Sequence, residues 1–505
     1  MLMHLIALPI LLPMLAGVIL LMPPCGKNVR IRRIASVILA VLTTLVTVSL
    51  LLQVLSQGPQ IYALGNWQAP FGIVLVADPL AVIMTILTSL LALVCAVYST
   101  AGDDERGGFF HPLLHFLLLG VNGAFLTGDA FNLFVFFEVL LIASYSLLMH
   151  AADKHTTRAA LQYVIMNLVG SAVFLIALGT LYGVLGTLNM ADMAQKVGQL
   201  SGDDVYLAKI GGLLLLVVFA LKAALLPLHL WLPSTYASAT PVVGAIFAIM
   251  TKVGVYSMLR VYTLIFGEHA GELNHMAQDW LWGLALATIV VGAVGVLASQ
   301  DLRKVAANLV IVSVGTLVAL VAVQTQAATA AAIYYMVHST LVSAALFLLA
   351  DLIARQRGKV MDRITAGRAV NQPLLLALGF GMAALTVIGM PPLSGFIGKI
   401  WLLNATLEAG HSQTFWPLYL FVSFALLVAL ARAGATVFWQ RPQKDIHATA
   451  TENAHPAQLV AVFMLLLCSP LLAIFAGPMT ELSNHAAVWV HDYAGMLRLV
   501  LGGQG

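Results

Sequence analysis

The chain has 505 residues, 61% hydrophobic and 9% charged, with a formal net charge of +3. Soluble domains carry about 25% charged residues, so this composition excludes a globule that faces water all round, and no polybasic block suggests nucleic acid. The three cysteines, Cys25, Cys95 and Cys468, are isolated in sequence, which leaves no disulfide framework, metal-ligand pair or iron–sulfur spacing.

Apolar runs of about twenty residues recur along the chain, the length needed to cross a hydrocarbon core of roughly 30 Å. Spanning backbones must satisfy their own hydrogen bonds, so runs of this length predict helices rather than a barrel. Spans are expected at 2–22, 34–55, 76–99, 109–127, 130–149, 158–185, 208–231, 241–266, 279–299, 304–323, 328–353, 373–406, 415–438 and 456–476. The expected fold is an all-α membrane protein of about fourteen transmembrane helices. The first run begins without a basic leader and reads as a retained span rather than a cleaved signal peptide.

Alternation of the spans places Lys27, Arg30, Arg32 and Arg33 in the cytoplasm. Arg106, Lys154, Arg158, Arg303, Lys304, Arg355, Arg357, Lys359, Arg363, Arg368, Arg441 and Lys444 fall on the same side. Only Lys196, Lys209 and Arg498 fall outside, a bias that agrees with the positive-inside rule and puts both termini on the outer side. The longest connections have about twenty residues, too short for a nucleotide-binding or flavin domain, and no phosphate-binding glycine motif is present. No cofactor or metal is expected, so the driving force must be an ion gradient or a partner. The tail from Glu481 to Gly505 reads as an amphipathic helix on the outer surface or as a frayed end.

Charges inside the spans carry the functional signal, because a charge at mid-membrane costs roughly 2.5–3.5 kcal/mol on insertion scales. Glu138, Lys222, Lys252 and Lys399 lie deep in apolar runs, and His338 is centred in its span. All five sit at similar depth on different helices, which describes a file within the membrane plane. Burial favours release of an ammonium proton, and a neighbouring carboxylate opposes it. Glu138 and Lys222 are therefore expected to act as a switchable pair. One Lys–Glu pair could be structural, but three mid-span lysines exceed the single mid-span acid. Arg260 and Arg432 fall near span ends and are expected to snorkel. Asp351 is expected to be solvated, and Asp78 reads as a helix-start acid.

Pro227 and Pro233 interrupt the seventh span, and Pro391 and Pro392 interrupt the twelfth. Proline removes a backbone donor and crowds the preceding turn; inside a membrane such breaks are tolerated where they line a cavity or bind ions. Each break lies beside a lysine, Lys222 or Lys399. The two spans are five apart and run in opposite directions, the pattern of two inverted five-helix repeats. The expected organisation is a three-helix segment over 1–108, repeats over 109–266 (spans 4–8) and 279–438 (spans 9–13), and a C-terminal helix with tail over 456–505.

The stretch LPLHLWLPSTYASATPVVGAIFAIMTKVGVYSMLRV, from Leu226 to Val261, resembles the signature of the antiporter-like subunits of respiratory complex I and the Mrp-type cation/proton antiporters. The likeness extends to FFEVLL around Glu138 and GMPPLSGFIGK before Lys399. Within that family, FNLFVFFEVLLIASYSLL and HSTLVSAALFLLADLI are most similar to the D subunit of the Mrp (Pha, Mnh) type. The resemblance implies a hetero-oligomeric inner-membrane complex that exchanges Na⁺ or K⁺ for H⁺. It also implies Glu138 and Lys222 as the gate of proton transfer, with Lys252, His338 and Lys399 as the relay. The chain ends soon after the fourteenth span, so neither the long lateral helix of the largest complex I paralogue nor the extra domain of the large Mrp subunit is expected. Two positions depart from many relatives: Val342, where a lysine is frequent, and Phe247, where a histidine is frequent. Waters, or hydroxyls such as those of Ser339, Thr340 and Ser343, are expected to bridge the resulting gap. The alternatives are a proton-pumping membrane subunit of an NADH:quinone oxidoreductase-type complex, driven by redox partners, and a scaffold whose charges only pin helices. One mid-membrane carboxylate is thin for a hard cation, which points to a partner for the cation path.

Overall fold

The computed structural model describes residues 2–150, 154–440 and 453–502. Arg441, Lys444 and the last three residues of the tail lie outside the described residues. In chain order, α1 (Leu8–Leu21) and α2 (Val29–Gln57) lead to a small antiparallel hairpin, β1 (Gln60–Ala63) and β2 (Val74–Ala77). Then come α3 (Pro79–Ser99), α4 (Phe110–Leu126), α5 (Ala130–Leu148), α6 (Lys154–Leu185), the short α7 (Met190–Val197) and α8 (Asp203–Ala223). After a break follow α9 (Trp231–Ser238), α10 (Pro241–Phe247), α11 (Met250–Arg260), α12 (Gln278–Ala298), α13 (Leu302–Val323) and α14 (Gln326–Gln356). The chain continues through α15 (Pro373–Ile388), α16 (Ser394–Glu408), α17 (Ser412–Phe438) and α18 (Pro456–Ile474). It closes with α19 (Ala476–His491) and α20 (Tyr493–Leu501), so the described part of the tail is helical rather than frayed.

Among the described residues, eleven helical segments are long and apolar enough to cross a membrane, and three shorter apolar helices accompany them. Each span expected from the sequence coincides with one helix or with consecutive helical pieces. The corrections are local. Val76 and Ala77, expected in the third span, form the end of β2, and the helix starts after Asp78, whose carboxylate caps it by accepting from the Ala81 amide at 2.8 Å. The twelfth expected span is two half-helices, α15 and α16. Pro233 does not interrupt a helix; it occupies the first turn of α9, where its missing N–H costs nothing. The eighth span is also irregular: α10 ends at Phe247, α11 restarts at Met250, and a π-turn occupies Val261–Ile265.

The helices α13 and α14 form the buried centre. Nearly every residue of α13 and of α14 is buried, whereas α2, α6 and α18 keep one face outward. Hydroxyls and amides within these helices mostly bond their own backbone one turn back, as Thr88 does to the Met84 carbonyl at 2.7 Å, so they remain compatible with an apolar surround. Two aspartates precede helices and pair with a later segment of the chain. Asp129 caps α5 through the Asn132 amide and bridges Asn189; Asp301 precedes α13 and bridges Arg363.

At one end of the bundle, charges converge. Arg33 contacts Asp104 and Glu105, Arg106 and Arg355 both contact Asp103, and Arg303 contacts Asp362. Burial alone would push the Asp104 carboxyl up, but hydrogen bonds from His111 and Arg33 outweigh it and hold the group below the usual carboxylate range. Asp351 is not solvated as expected. It is 7% exposed, accepts from the Tyr98 hydroxyl at 2.8 Å and pairs with Arg355 at 2.6 Å.

Candidate functional site

Two lysines sit where helices stop. In α8, Lys222 is the penultimate residue before the chain turns at Ala224, whose φ of 60° ends the helix in the left-handed region. The segment 224–230 then crosses to α9, with Pro227 inside it. In the other half, α15 stops at Ile388, Gly389 takes the left-handed turn, and α16 restarts at Ser394 with Lys399 in its second turn. Both breaks are thus at the positions the prolines indicated.

The buried Lys222 ammonium donates to the Asn167 side-chain oxygen at 3.2 Å and lies 5.7 Å from the centre of the Phe137 ring. Glu138, on α5, accepts from the Ser171 hydroxyl. Asn167 and Ser171 are one turn apart on α6, so a single helix face carries the partner of the acid and the partner of the base. Among the described residues no direct Glu138–Lys222 ion pair exists. The two members of the expected switchable pair are separated here by an amide and a hydroxyl. Asn167 itself is held by its amide nitrogen, which donates to the Tyr163 carbonyl at 2.9 Å.

Lys252 is fully buried in the first turn of α11, and its ammonium donates to the Ser313 hydroxyl of α13 at 3.2 Å. The two lysine-bearing helices are pressed together beside it. A Cβ at Gly254 would lie 2.7 Å from the Ala223 amide nitrogen, so any side chain there would force α8 and α11 apart.

His338, buried at 4% exposure in α14, shares a hydrogen bond of 2.9 Å between its Nδ1 and the Ser394 hydroxyl. Lys399 donates to the Ile388 carbonyl freed by the break and, at 2.7 Å, to the Ser423 hydroxyl of α17, and it lies 5.4 Å from the centre of the Tyr419 ring. The carbonyl contact is what a broken helix offers: an acceptor that a continuous helix would use internally.

The five residues expected from the sequence therefore occupy one belt of neighbouring helices, each with a polar partner. Ser339 and Thr340 both bond the Met336 carbonyl of their own helix, and the hydroxyls that touch the belt's charged and titratable groups are Ser171, Ser313, Ser394 and Ser423. Sequence reasoning also passed over His229. It lies buried inside the first break, and its Nδ1 has no hydrogen-bond partner among the described residues. Arg260 does not snorkel. It is buried, contacts the Asp78 carboxylate and donates to the Tyr256 hydroxyl at 3.0 Å. Arg432, by contrast, is exposed and donates to the Leu297 carbonyl at 2.7 Å.

Residues 127–429 match the family described as NADH:quinone oxidoreductase/Mrp antiporter, TM. The chain is 38% identical to the D subunit of a probable K⁺/H⁺ antiporter of Rhizobium meliloti (strain 1021), with 94% of this chain and 93% of that protein covered. It is also 38% identical to the Na⁺/H⁺ antiporter D subunit of Bacillus subtilis (strain 168), over 91% of this chain and 92% of that one. A chain in the structure of the Mrp complex from Dietzia sp. DQ12-45-1b superposes with a TM-score of 0.89 at 26% identity, covering 99% of this chain and 100% of that chain. A chain of respiratory complex I from Thermus thermophilus shares the fold, with a TM-score of 0.77 at 23% identity over 97% of this chain and 99% of that chain. The chain belongs to the NADH:quinone oxidoreductase/Mrp antiporter membrane family, in the branch of the antiporter D subunits.

Proposed function

We propose that this chain is the proton-translocating D subunit of a multisubunit Na⁺/H⁺ or K⁺/H⁺ antiporter in a bacterial inner membrane. It is a secondary-transporter component rather than an enzyme, and it works with other membrane subunits of an Mrp-type complex. The relatives named above are antiporter subunits over nearly their full length, which favours cation-driven exchange over a redox-driven pump.

The observation that carries the mechanism is that all three mid-membrane lysines are held by neutral oxygens: Asn167 for Lys222, Ser313 for Lys252, and Ser423 with the Ile388 carbonyl for Lys399. A buried ammonium facing a carboxylate is locked charged, whereas one facing neutral acceptors can lose its proton at modest cost. Glu138 stands one amide and one hydroxyl away from Lys222. Movement of the Lys222 side chain from Asn167 towards Glu138 retains its proton, and movement back releases it. The proton then passes towards Lys252, His338 and Lys399, which form the relay.

The two halves are read as inverted repeats over 109–266 and 279–438, flanked by a three-helix segment and a C-terminal helix, with fourteen crossings in all. Matching aspartate bridges, matching breaks and a lysine at each break support that reading. The charge cluster joining Arg33, Arg106, Arg355 and Arg303 at one end supports a cytoplasmic face there, with both termini on the outer side.

The test is Lys222→Ala in the assembled complex, reconstituted into vesicles and assayed for cation-dependent proton movement. Exchange should fall by at least about 100-fold, the scale of a lost proton-transfer group, with assembly intact. Normal exchange in that variant would overturn the mechanism.

A further inference from the structure

Each broken helix is held by a hydroxyl from the first helix that follows its own repeat. In the first half, the Leu226 amide inside the break donates at 3.0 Å to Thr288 of α12, whose own hydroxyl is committed to the Leu284 carbonyl at 2.6 Å. In the second half, the Ser394 amide at the start of α16 donates at 3.3 Å to Ser469 of α18. Ser469 also meets the Ser394 hydroxyl at 2.9 Å and the Thr386 hydroxyl, at the end of α15, at 3.1 Å. One side chain thus ties both half-helices together. The joint has no slack, because a Cβ at Gly395 would collide with the Thr386 carbonyl oxygen.

The two clamps differ in what else they touch. Among the described residues, Thr288 meets only backbone. Ser469 belongs to a row of side chains, Thr386–Ser469–Ser394–His338, in which each hydroxyl has one hydrogen to give. That row has two self-consistent polarities. In one, Thr386 donates to the Met382 carbonyl, 2.7 Å away, Ser394 donates to Ser469, and the His338 Nδ1–H donates to Ser394. In the other, Thr386 donates to Ser469, Ser469 to Ser394, and Ser394 to a bare His338 Nδ1. Turning three O–H bonds moves no heavy atom, yet it dictates which nitrogen of a neutral His338 ring carries the proton.

We propose that Ser469, acting through Ser394 and Thr386, is a positioning residue that sets the protonated nitrogen of His338 and latches the second helix break, while Thr288 is its purely mechanical counterpart in the first. The proposal rests on the proton-relay function above. It brings α18, which lies outside both repeats, into the relay and leaves α12 out. The charged and titratable groups around the His338 ring are Lys399 of α16 and Lys252 of α11, together with Tyr335 of α14, whose ring centre is 5.5 Å away. The neighbour of Ser469 on α18 is the free thiol of Cys468, and α15 contributes hydroxyl and backbone groups to the row.

The experiment compares Ser469→Ala, Ser469→Thr, Thr288→Val and Thr288→Ser in the assembled complex, with exchange measured from about pH 6 to 10, a window spanning the histidine and lysine ranges. Lys222→Ala serves as the control for the underlying function. Ser469→Ala should move the pH of half-maximal exchange by about half a unit or more and lower the peak rate about three- to tenfold, the scale of losing a partner that orients a histidine. Ser469→Thr should restore the wild-type profile. Thr288→Val should lower the rate with no shift of the profile, and Thr288→Ser should recover it. A Ser469→Ala complex with the wild-type profile overturns the proposal, as does one whose effect matches that of Thr288→Val. If either of those results accompanies an inactive Lys222→Ala, only this inference fails; if Lys222→Ala exchanges normally, the relay itself has failed.

Discussion

The two helix breaks place a lysine at the same kind of joint and solve its charge differently. At the first, Lys222 faces an amide, with a carboxylate one step beyond: Asn167, Ser171 and Glu138 form a short ladder across α6. At the second, Lys399 faces a hydroxyl and a freed carbonyl, and no carboxylate pairs with it among the described residues. The first joint can exchange a charged partner for a neutral one by moving one side chain. The second can only give its proton up or keep it. In the proposed relay, the difference assigns switching to the first joint and conduction to the second.

That contrast can be broken by substitution at the neutral partners. Asn167→Leu removes the hydrogen-bond partner of Lys222. Exchange should drop by about tenfold or more, the scale of a lost buried hydrogen bond to a charged group. Ser423→Ala leaves Lys399 with the Ile388 carbonyl and should cost no more than about threefold, the low end of a single hydrogen bond's worth. Equal losses in the two variants, assayed side by side in vesicles, would remove the distinction between a switch and a conductor.

Arg260→Ala separates a structural charge from those of the proposed relay. It strands Asp78, which is fully buried in the ion pair, and leaving one buried charge unpaired costs about 3–5 kcal/mol. The yield of assembled complex should fall sharply, and Asp78→Asn in the same chain should recover part of it. The molecules that do assemble should exchange normally, since Arg260 touches no relay group.

The smallest expected effect lies outside the membrane. The Asp104 carboxyl is held below its ordinary range in the folded chain. Its contribution to stability is therefore complete above an unfolded value of about 3.9 and disappears only as pH falls through the lower folded value. The difference in thermal midpoint between the wild-type and Asp104→Asn complexes should be flat from about pH 8 to 5 and shrink below about pH 4. A difference that varies across the flat range would reassign the dependence to another group.

Charges inside apolar runs made the lysines, Glu138 and His338 legible in the sequence, because their cost demands a reason. The prolines did the same for the two joints. The neutral partners were not legible. Serine, threonine and asparagine are common in membrane helices and mostly turn back on their own backbone, so nothing in the sequence separates Ser313, which meets Lys252, from Thr340, which does not meet a relay group. Arg260 was misread for a different reason: its partner Asp78 lies 182 residues away, and proximity in space left no mark on spacing. The gap between α10 and α11 carries no proline, so it too gave no signal.

The tail has a consequence for how the molecule is made. Met496 and Val500 of α20 cover Val74 and Val76 of β2 and Ala191 of α7. Synthesis proceeds at roughly 5–20 residues per second, so the roughly 300 residues between α7 and α20 take about 15–60 s to emerge. For that interval the hairpin and α7 lack the apolar cover that α20 supplies. A helix made roughly 300 residues after α7 thus closes the first half of the protein, and a chain released before it would leave that apolar surface open to other chains.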